Sequence, residues 1–113
     1  MSAPVIFLIA GEPSGDLLGA RLMAALRRLG PPDLQFAGIG GERMVAEGLT
    51  PFFPQRELAH FGLFELLVHV PHLLKRIRQT IAEVKRLRPA ALVTIDAPDF
   101  SFRVAKALKG QGI

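Results

Sequence analysis

Short, almost wholly apolar runs alternate along this chain with longer segments in which apolar residues recur every three or four positions. The run at residues 5–10 reads VIFLIA and contains three β-branched residues. Uninterrupted apolar runs of this length are typical of strands that are buried on both faces of a parallel sheet. Residues 34–40 and 91–95 contain runs of the same kind, so the pattern predicts three buried strands.

The segments between these runs have helical spacing. A helix is predicted after the first run, and the GPP sequence of residues 30–32 ends it. A short helix is predicted over residues 42–47, where Gly48 ends it, and another over residues 101–109. The apolar positions of the first helix are Leu18, Leu22, Ala25, Leu26 and Leu29.

The longest helical segment covers residues 62–88 and is closed by Pro89. Pro71 interrupts it. Because proline lacks a backbone donor and its ring clashes with the preceding turn, we expect a kink or two separate helices there. The apolar face that should pack on the core consists of Leu66, Val70, Leu73, Leu74, Ile77, Ile81 and Val84.

Strands that alternate with helices predict an α/β fold: a Rossmann-like parallel sheet with right-handed crossovers and helices on both faces. Residues 49–58 are expected to be irregular or to form an edge, because Pro51 and Pro54 cannot donate to a sheet ladder. A chain of 113 residues is long enough for one domain. A doubly wound sheet normally has more strands than these, so we expect residues 1–113 to be part of a longer protein.

The net charge of +4 favours an anionic partner. A nucleic acid is the least favoured one, because the chain has no Trp or Tyr for base stacking and no recognised binding motif. The first apolar run lacks a basic segment before it and is too short for a signal sequence or a spanning helix. These features are compatible with a cytoplasmic protein.

No metal or other cofactor is predicted. The chain has no cysteine, which excludes thiolate metal sites and disulfides. Its histidines, His60, His69 and His72, do not have the spacing of a metal site, and no third ligand accompanies the last two.

The sequence GEPSGD at residues 11–16 lies between the first predicted strand and its helix. Glycine-rich loops at such places often bind phosphate through backbone amides, but this one is neither a Walker loop nor a dinucleotide fingerprint. Its two carboxylates repel phosphate and accept hydrogen bonds from hydroxyl groups, so the loop is better suited to a sugar or an alcohol. The candidate ligand-binding residues are Glu12, Ser14, Gly15 and Asp16.

Two of these residues also have a purely structural explanation. A carboxylate such as Asp16 near a helix N-terminus stabilises the helix by about 0.3–1 kcal/mol. Ser14 could cap the same helix, which is worth about 1 kcal/mol. The residues alone leave both explanations open.

Two further carboxylates follow the last predicted strand, in the sequence IDAPDF of residues 95–100. Ligands of open α/β sheets bind at the carboxyl ends of the strands, so Asp96 and Asp99 are expected at the mouth of the site. A carboxylate there can act as a general base toward a hydroxyl group. The structural alternative is that Asp99 caps the following helix and that Asp96 binds loop amides.

The segments AGEPSGDLLGARL, FAGIGGERMVAEGL and IDAPDFSFRVAKALKGQGI occur in this order across essentially the whole chain. Together they closely resemble the N-terminal part of the lipid-A-disaccharide synthase family. Members of that family are much longer, inverting glycosyltransferases of the two-domain GT-B type. The resemblance implies that residues 1–113 are an incomplete N-terminal, acceptor-side domain and that a C-terminal nucleotide-binding domain lies outside this chain.

The resemblance also implies a reaction. Diacylglucosamine is transferred from its UDP carrier to diacylglucosamine 1-phosphate, which forms the β-1,6 lipid A disaccharide and releases UDP. Asp96 matches the first aspartate of the family's D-A-P-D-F motif and is the implied base, with Glu12 as a rival. Ser14 and Asp16 would orient the sugar, and this chain alone is expected to be inactive. The alternative is a stand-alone Rossmann-like module that binds a nucleotide or a sugar without catalysis.

Because the implied substrates carry acyl chains, the resemblance further implies peripheral contact with the inner face of the bacterial inner membrane. Residues 61–78 combine an apolar patch with basic residues, a pattern that can dip into an anionic leaflet. The alternative is an ordinary core helix with solvated basic residues. The predicted membrane contacts are Leu63, Phe64, Leu67, Val68, Lys75, Arg76 and Arg78.

Overall fold

The computed structural model describes residues 3–59 and 63–113, and it describes side chains outside residues 59–69. Within this part of the chain, four parallel strands form one sheet in the order β3-β2-β1-β4. The strands are β1 (Val5–Ile9), β2 (Gln35–Ile39), β3 (Leu49–Pro51) and β4 (Ala91–Thr94). The three predicted strands are confirmed, but β4 lies at an edge of this sheet and is only partly buried. β3 forms the other edge, within the segment that was expected to be irregular or an edge.

Helices connect the strands and cover both faces of the sheet. They are α1 (Pro13–Leu29), α2 (Glu42–Ala46), α3 (Arg56–Ala59), α4 (Leu63–Leu87) and α5 (Pro98–Ala107). The Rossmann-like α/β arrangement expected from the alternating pattern is therefore confirmed.

The side chains of β1 alternate between two hydrophobic cores. Phe7 and Ile9 belong to the core beneath α4 and α5, whereas Leu8 and Ala10 belong to the core beneath α1 and α2. All four side chains are fully buried. Because successive residues of a strand point to opposite faces, one unbroken apolar run supplies both cores at once.

The face that α1 turns to the sheet differs from the predicted leucine stripe. Leu18 and Leu29 are exposed, whereas Gly19 and Met23 are buried. A Cβ on Gly19 would lie only 2.6 Å from Sδ of Met44, so the helix packs closely through its small residues and leaves two leucines outside.

The longest helix also departs from its prediction. Of the two outcomes expected at Pro71, a kink or two separate helices, the second is wrong: Pro71 is exposed and lies inside one helix, α4. Leu73, Ile77 and Val84 are buried as predicted. The residues predicted beside them on the core face are more exposed: Val70 and Leu74 are 36% and 42% exposed.

The last helix begins at Pro98, three residues earlier than predicted, because proline is well suited to the first turn, where no backbone donor is needed. Among the helices of residues 3–59 and 63–113, none combines the length and apolar character required to cross a membrane.

Candidate functional site

The loops that follow β1, β2 and β4 meet at one edge of the sheet, because the strands are parallel. From β1 the chain passes through α1 to β2 on one side, and it later enters β4 on the other side. The strand order thus reverses between β1 and β4. Open α/β sheets bind ligands at such a reversal, outside the carboxyl ends of the strands.

Asp96 bridges this reversal. Its carboxylate accepts hydrogen bonds from the backbone N–H of Gly11 and, over 3.1 Å, from that of Glu12. Asp96 is half-buried and lines a cavity of about 280 Å³ together with Ser101 and Phe102. The loop after β4 is therefore attached to the loop after β1 by a carboxylate that also faces open space.

Gly15 leaves room for this carboxylate. A Cβ on Gly15 would overlap Oδ2 of Asp96. The need for a glycine at position 15 is thus explained by the close approach of the Asp96 side chain, whether or not a ligand also approaches there.

These contacts bear on what the loop can bind. The N–H groups of Gly11 and Glu12 stand before a helix N-terminus, where Rossmann-like proteins commonly bind phosphate. Here they already donate to a carboxylate. A phosphate group would have to displace Asp96 and would meet its negative charge, which disfavours a nucleotide phosphate at this loop.

The turn after Asp96 has a strained backbone. Ala97 has φ 53° and ψ 58°, a left-handed conformation that is uncommon for residues other than glycine. Ser101 stabilises it, because its backbone N–H donates to the carbonyl of Ala97 and its Oγ donates to the carbonyl of Asp96, each over 2.8 Å. Strained residues that the surrounding structure holds in place are concentrated at functional sites.

Asp16 supports a second loop. It is 6% exposed, and its carboxylate accepts N–H groups of Gly41, Arg43 and Met44 at 2.9–3.0 Å. These donors lie at the N-terminus of α2, so Asp16 caps a neighbouring helix as well as standing in the first turn of its own. A direct bond to a sugar would add to three existing hydrogen bonds on a buried side chain.

The remaining predicted ligand residues are exposed. Glu12 precedes α1 and makes no side-chain capping bond, and Ser14 lies in the first turn of the helix rather than at its cap. Asp99 stands in the first turn of α5, which Ala97 precedes, so it does not cap that helix. The three side chains are thus accessible to a ligand at the carboxyl edge of the sheet.

Gln55 belongs to this site although nothing in the sequence indicated it. Its Nε2 donates to the carbonyl oxygens of Ala10 and Glu12, at 2.8 and 3.2 Å. It follows Pro54 in a segment without apolar periodicity, and only the folded chain brings it to the loop after β1.

Glu57, two residues further, fixes α3 to α4. One carboxylate oxygen lies 2.6 Å from Nε2 of His72, and the other accepts a hydrogen bond of 2.8 Å from Arg76. Burial raises the pKa of Glu57, but the bonds from His72 and Arg76 outweigh it, and the pKa lies below its usual value. Arg76 also lies over the ring of Phe53. The guanidinium of Arg76, which was predicted to contact a membrane, is thus bound to Glu57 and packed on Phe53 within the protein.

Some predictions concern residues outside the described side chains. These are the membrane contacts Leu63, Phe64, Leu67 and Val68, as well as His60 and His69. Among the side chains that are described, no group of three His, Asp or Glu residues is arranged to hold a metal ion.

Comparison with known proteins identifies relatives over the whole described site. A family model for lipid-A-disaccharide synthetase matches residues 6–113. Lipid-A-disaccharide synthases of Paramagnetospirillum magneticum and Rhodospirillum centenum are 54% and 55% identical over 96% and 99% of this chain. That of Azotobacter vinelandii is 48% identical over 96% of it. The chain spans about 28% of the length of each of these relatives.

The family match covers the loops after β1, β2 and β4 together with the sheet that carries them. On this match, the chain belongs to the lipid-A-disaccharide synthetase family.

Proposed function

We propose that the protein to which this chain belongs is an inverting glycosyltransferase of lipid A biosynthesis. It transfers 2,3-diacylglucosamine from its UDP derivative to the 6-hydroxyl of 2,3-diacylglucosamine 1-phosphate, and it forms a β-1,6 disaccharide and UDP. The observation that carries this proposal is the family match over residues 6–113. The carboxylate of Asp96, which borders a cavity at the reversal of strand order, supplies a base in a suitable place.

Asp96 acts as the general base in this proposal. The acceptor oxygen attacks the anomeric carbon of the donor while its proton passes to the carboxylate, and the bond between that carbon and the UDP oxygen breaks. A carboxylate has about four lone-pair positions, and two amides use only part of them. Oxygen lone pairs therefore remain for the acceptor hydroxyl, and direct attack inverts the anomeric centre.

The acceptor sugar is held by the exposed residues around this carboxylate. Glu12, Ser14 and Asp99 offer oxygen acceptors for its hydroxyl groups, and Gly15 contributes by leaving room for the carboxylate of Asp96. Asp16 contributes by supporting α2, because its carboxylate already accepts three amides.

The donor nucleotide binds mainly outside this chain. In this proposal residues 1–113 form an incomplete N-terminal domain on the acceptor side, and a C-terminal domain binds UDP. Two observations support the division: the chain spans about 28% of its relatives, and the amides suited to phosphate are occupied by Asp96.

Titration of the 113-residue chain tests the division of labour against a stand-alone nucleotide-binding module. Diacylglucosamine 1-phosphate with shortened acyl chains should shift the backbone NMR signals of residues 11–16 and 96–99, whereas UDP should not. The complete protein should form disaccharide from both substrates, and the 113-residue chain should form none. Tight UDP binding at residues 11–16 with no effect of the acceptor would support the module instead.

We also propose that α4 contacts an anionic membrane surface. Val70, Leu74 and Arg78 are spaced four residues apart and are exposed along one stripe, with Lys75 exposed beside them. Apolar residues next to cations bind anionic leaflets, and each nearby cation adds about 1 kcal/mol. Peripheral binding at the inner face of the inner membrane would give the site access to acylated substrates.

The substitutions Leu74→Glu and Lys75→Glu together are expected to weaken binding of the complete protein to anionic phospholipid vesicles at least about 10-fold. The change removes an apolar contact and reverses one charge, and about 1.4 kcal/mol corresponds to a factor of ten. Vesicle sedimentation measures the effect. The matched control is Leu29→Glu, which places the same charge at an 85% exposed leucine on α1. Equal binding of the double variant and the wild type would contradict the proposal.

A further inference from the structure

The peptide group that joins Ala10 to Gly11 is held at both ends. Its N–H donates to the carboxylate of Asp96, and its carbonyl oxygen accepts a hydrogen bond of 2.8 Å from Nε2 of Gln55. Nε2 of Gln55 also donates to the carbonyl of Glu12 over 3.2 Å. Hydrogen bonds in a chain polarise one another, so the donor on Gln55 strengthens the bond that the same peptide makes to Asp96.

The side-chain amide of Gln55 has one orientation that satisfies these contacts. Two carbonyl oxygens face it, and they require the NH₂ group rather than the oxygen. Its Oε1 points toward Gly41, where an added Cβ would lie 2.6 Å away. Glutamine is therefore used here as a donor. A side chain of the same length without that donor would remove the hydrogen bond to the carbonyl of Ala10, whereas the carbonyl of Glu12 would still accept the N–H of Asp16 over 2.9 Å.

The segment that carries Gln55 is braced on both sides. Phe53 is buried, and its ring packs edge-on against Phe100 at a centroid distance of 6.0 Å. Glu57 is bound by Arg76 at 2.8 Å, and the same guanidinium lies 4.7 Å from the centroid of the Phe53 ring. The backbone segment that carries Gln55 is thus held in place by the packing of Phe53 on one side and by the ion pair of Glu57 on the other.

We propose that Gln55 is a positioning residue for the sugar transfer. It orients the peptide between Ala10 and Gly11 so that the N–H fixes the carboxylate of Asp96 toward the acceptor hydroxyl. This inference rests on the proposed function. Without the donor, that peptide can rotate and turn its carbonyl toward Asp96, where the two oxygens repel each other. Removal of the donor therefore slows proton transfer, so kcat falls by a larger factor than the KM of either substrate changes.

The test uses the complete enzyme with Gln55→Met, Gln55→Glu and Gln55→Lys. Methionine removes the donor, glutamate replaces it by a charged acceptor, and lysine retains a donor. Misplacement of a reacting group by about 1 Å can cost roughly 100-fold in rate, so we expect kcat to fall about 10- to 100-fold with methionine and further with glutamate. Lysine should restore kcat to within about 3-fold of the wild type, which a role in packing alone would not produce. The KM of the acceptor should change less than about 3-fold.

The matched control is Gln35→Met, because Gln35 is exposed at the opposite edge of the sheet, where β2 begins. Thermal melting verifies that each variant is folded. Wild-type kcat in Gln55→Met, or equal losses in the methionine and lysine variants, would overturn the assignment. If the wild type forms no disaccharide, the proposed function itself fails. If the wild type is active and Asp96→Asn is not, failure of the Gln55 variants to differ from the wild type refutes only the role of Gln55.

Discussion

Asp96→Asn in the complete enzyme is expected to lower kcat at least about 100-fold, which is the lower end of what a positioned general base contributes. Asparagine has nearly the same shape, and its carbonyl oxygen can still accept an N–H from Gly11 or Glu12. It cannot take up the proton of the acceptor hydroxyl. The expected cost in stability is about 1.5–3 kcal/mol, since one hydrogen bond to a charged group is weakened and another is lost.

Initial-rate assays of disaccharide formation, with both substrates saturating, measure this loss. Asp33→Asn is the matched control, because Asp33 is exposed in the connection between α1 and β2 at the opposite edge of the sheet. If Asp96→Asn is folded and retains turnover close to the wild type, Asp96 is not the base. A loss confined to Glu12→Gln would then assign the base to Glu12, in the loop after β1.

Gly38→Ala is expected to destabilise this domain by about 4 kcal/mol or more, a large fraction of the about 5–15 kcal/mol that typical domains have. Gly38 lies within β2 and has φ +135°, a conformation that side chains rarely adopt. A Cβ there would overlap the carbonyl oxygen of Leu8, its partner in the parallel register with β1. Movement of β2 away from β1 is opposed on its other side, where Phe52 donates to the carbonyl of Gly38 over 2.7 Å.

Urea unfolding of the 113-residue chain, followed by circular dichroism, measures the change. Gly110→Ala is the matched control, because Gly110 also has a positive φ of 83° but no atom within 4 Å of its added Cβ. That variant reports the backbone strain alone, which should be about 1 kcal/mol. Similar losses in the two variants would show that the contact with Leu8 contributes little.

The strands, and the need for helices on both faces of the sheet, could be predicted because each depends on a short stretch of sequence. Residues 5–10 are apolar on both sides of a strand, and this pattern alone requires a cover on each face. The motifs at residues 11–16 and 95–100 likewise pointed to the carboxyl edge of the sheet, where the structure brings their loops together. The family followed from the same motifs in their order along the chain.

Other features depend on partners that are distant in sequence. The sequence suggested that Asp16 binds a ligand or stabilises the N-terminus of its own helix by its charge, whereas its carboxylate accepts amides that lie 25 or more residues away. Helical spacing placed Leu18 and Leu29 in the core, but the closeness of Gly19 to Met44 decided which face of α1 is buried. In α4, Pro71 is exposed and lies inside one helix, whereas the sequence left open whether it would produce a kink or two separate helices.

The sequence by itself determined the kind of sheet, the family and the carboxylates at the sheet edge, because these depend on residue type and short spacing. Only the tertiary structure decided what each carboxylate contacts. Asp96 accepts the amides of Gly11 and Glu12, which lie 85 and 84 positions earlier, and Gln55 donates to carbonyls of the same loop. Such pairings arise when crossovers bring loops together, and a hydrogen bond formed in this way leaves no periodic pattern in the chain.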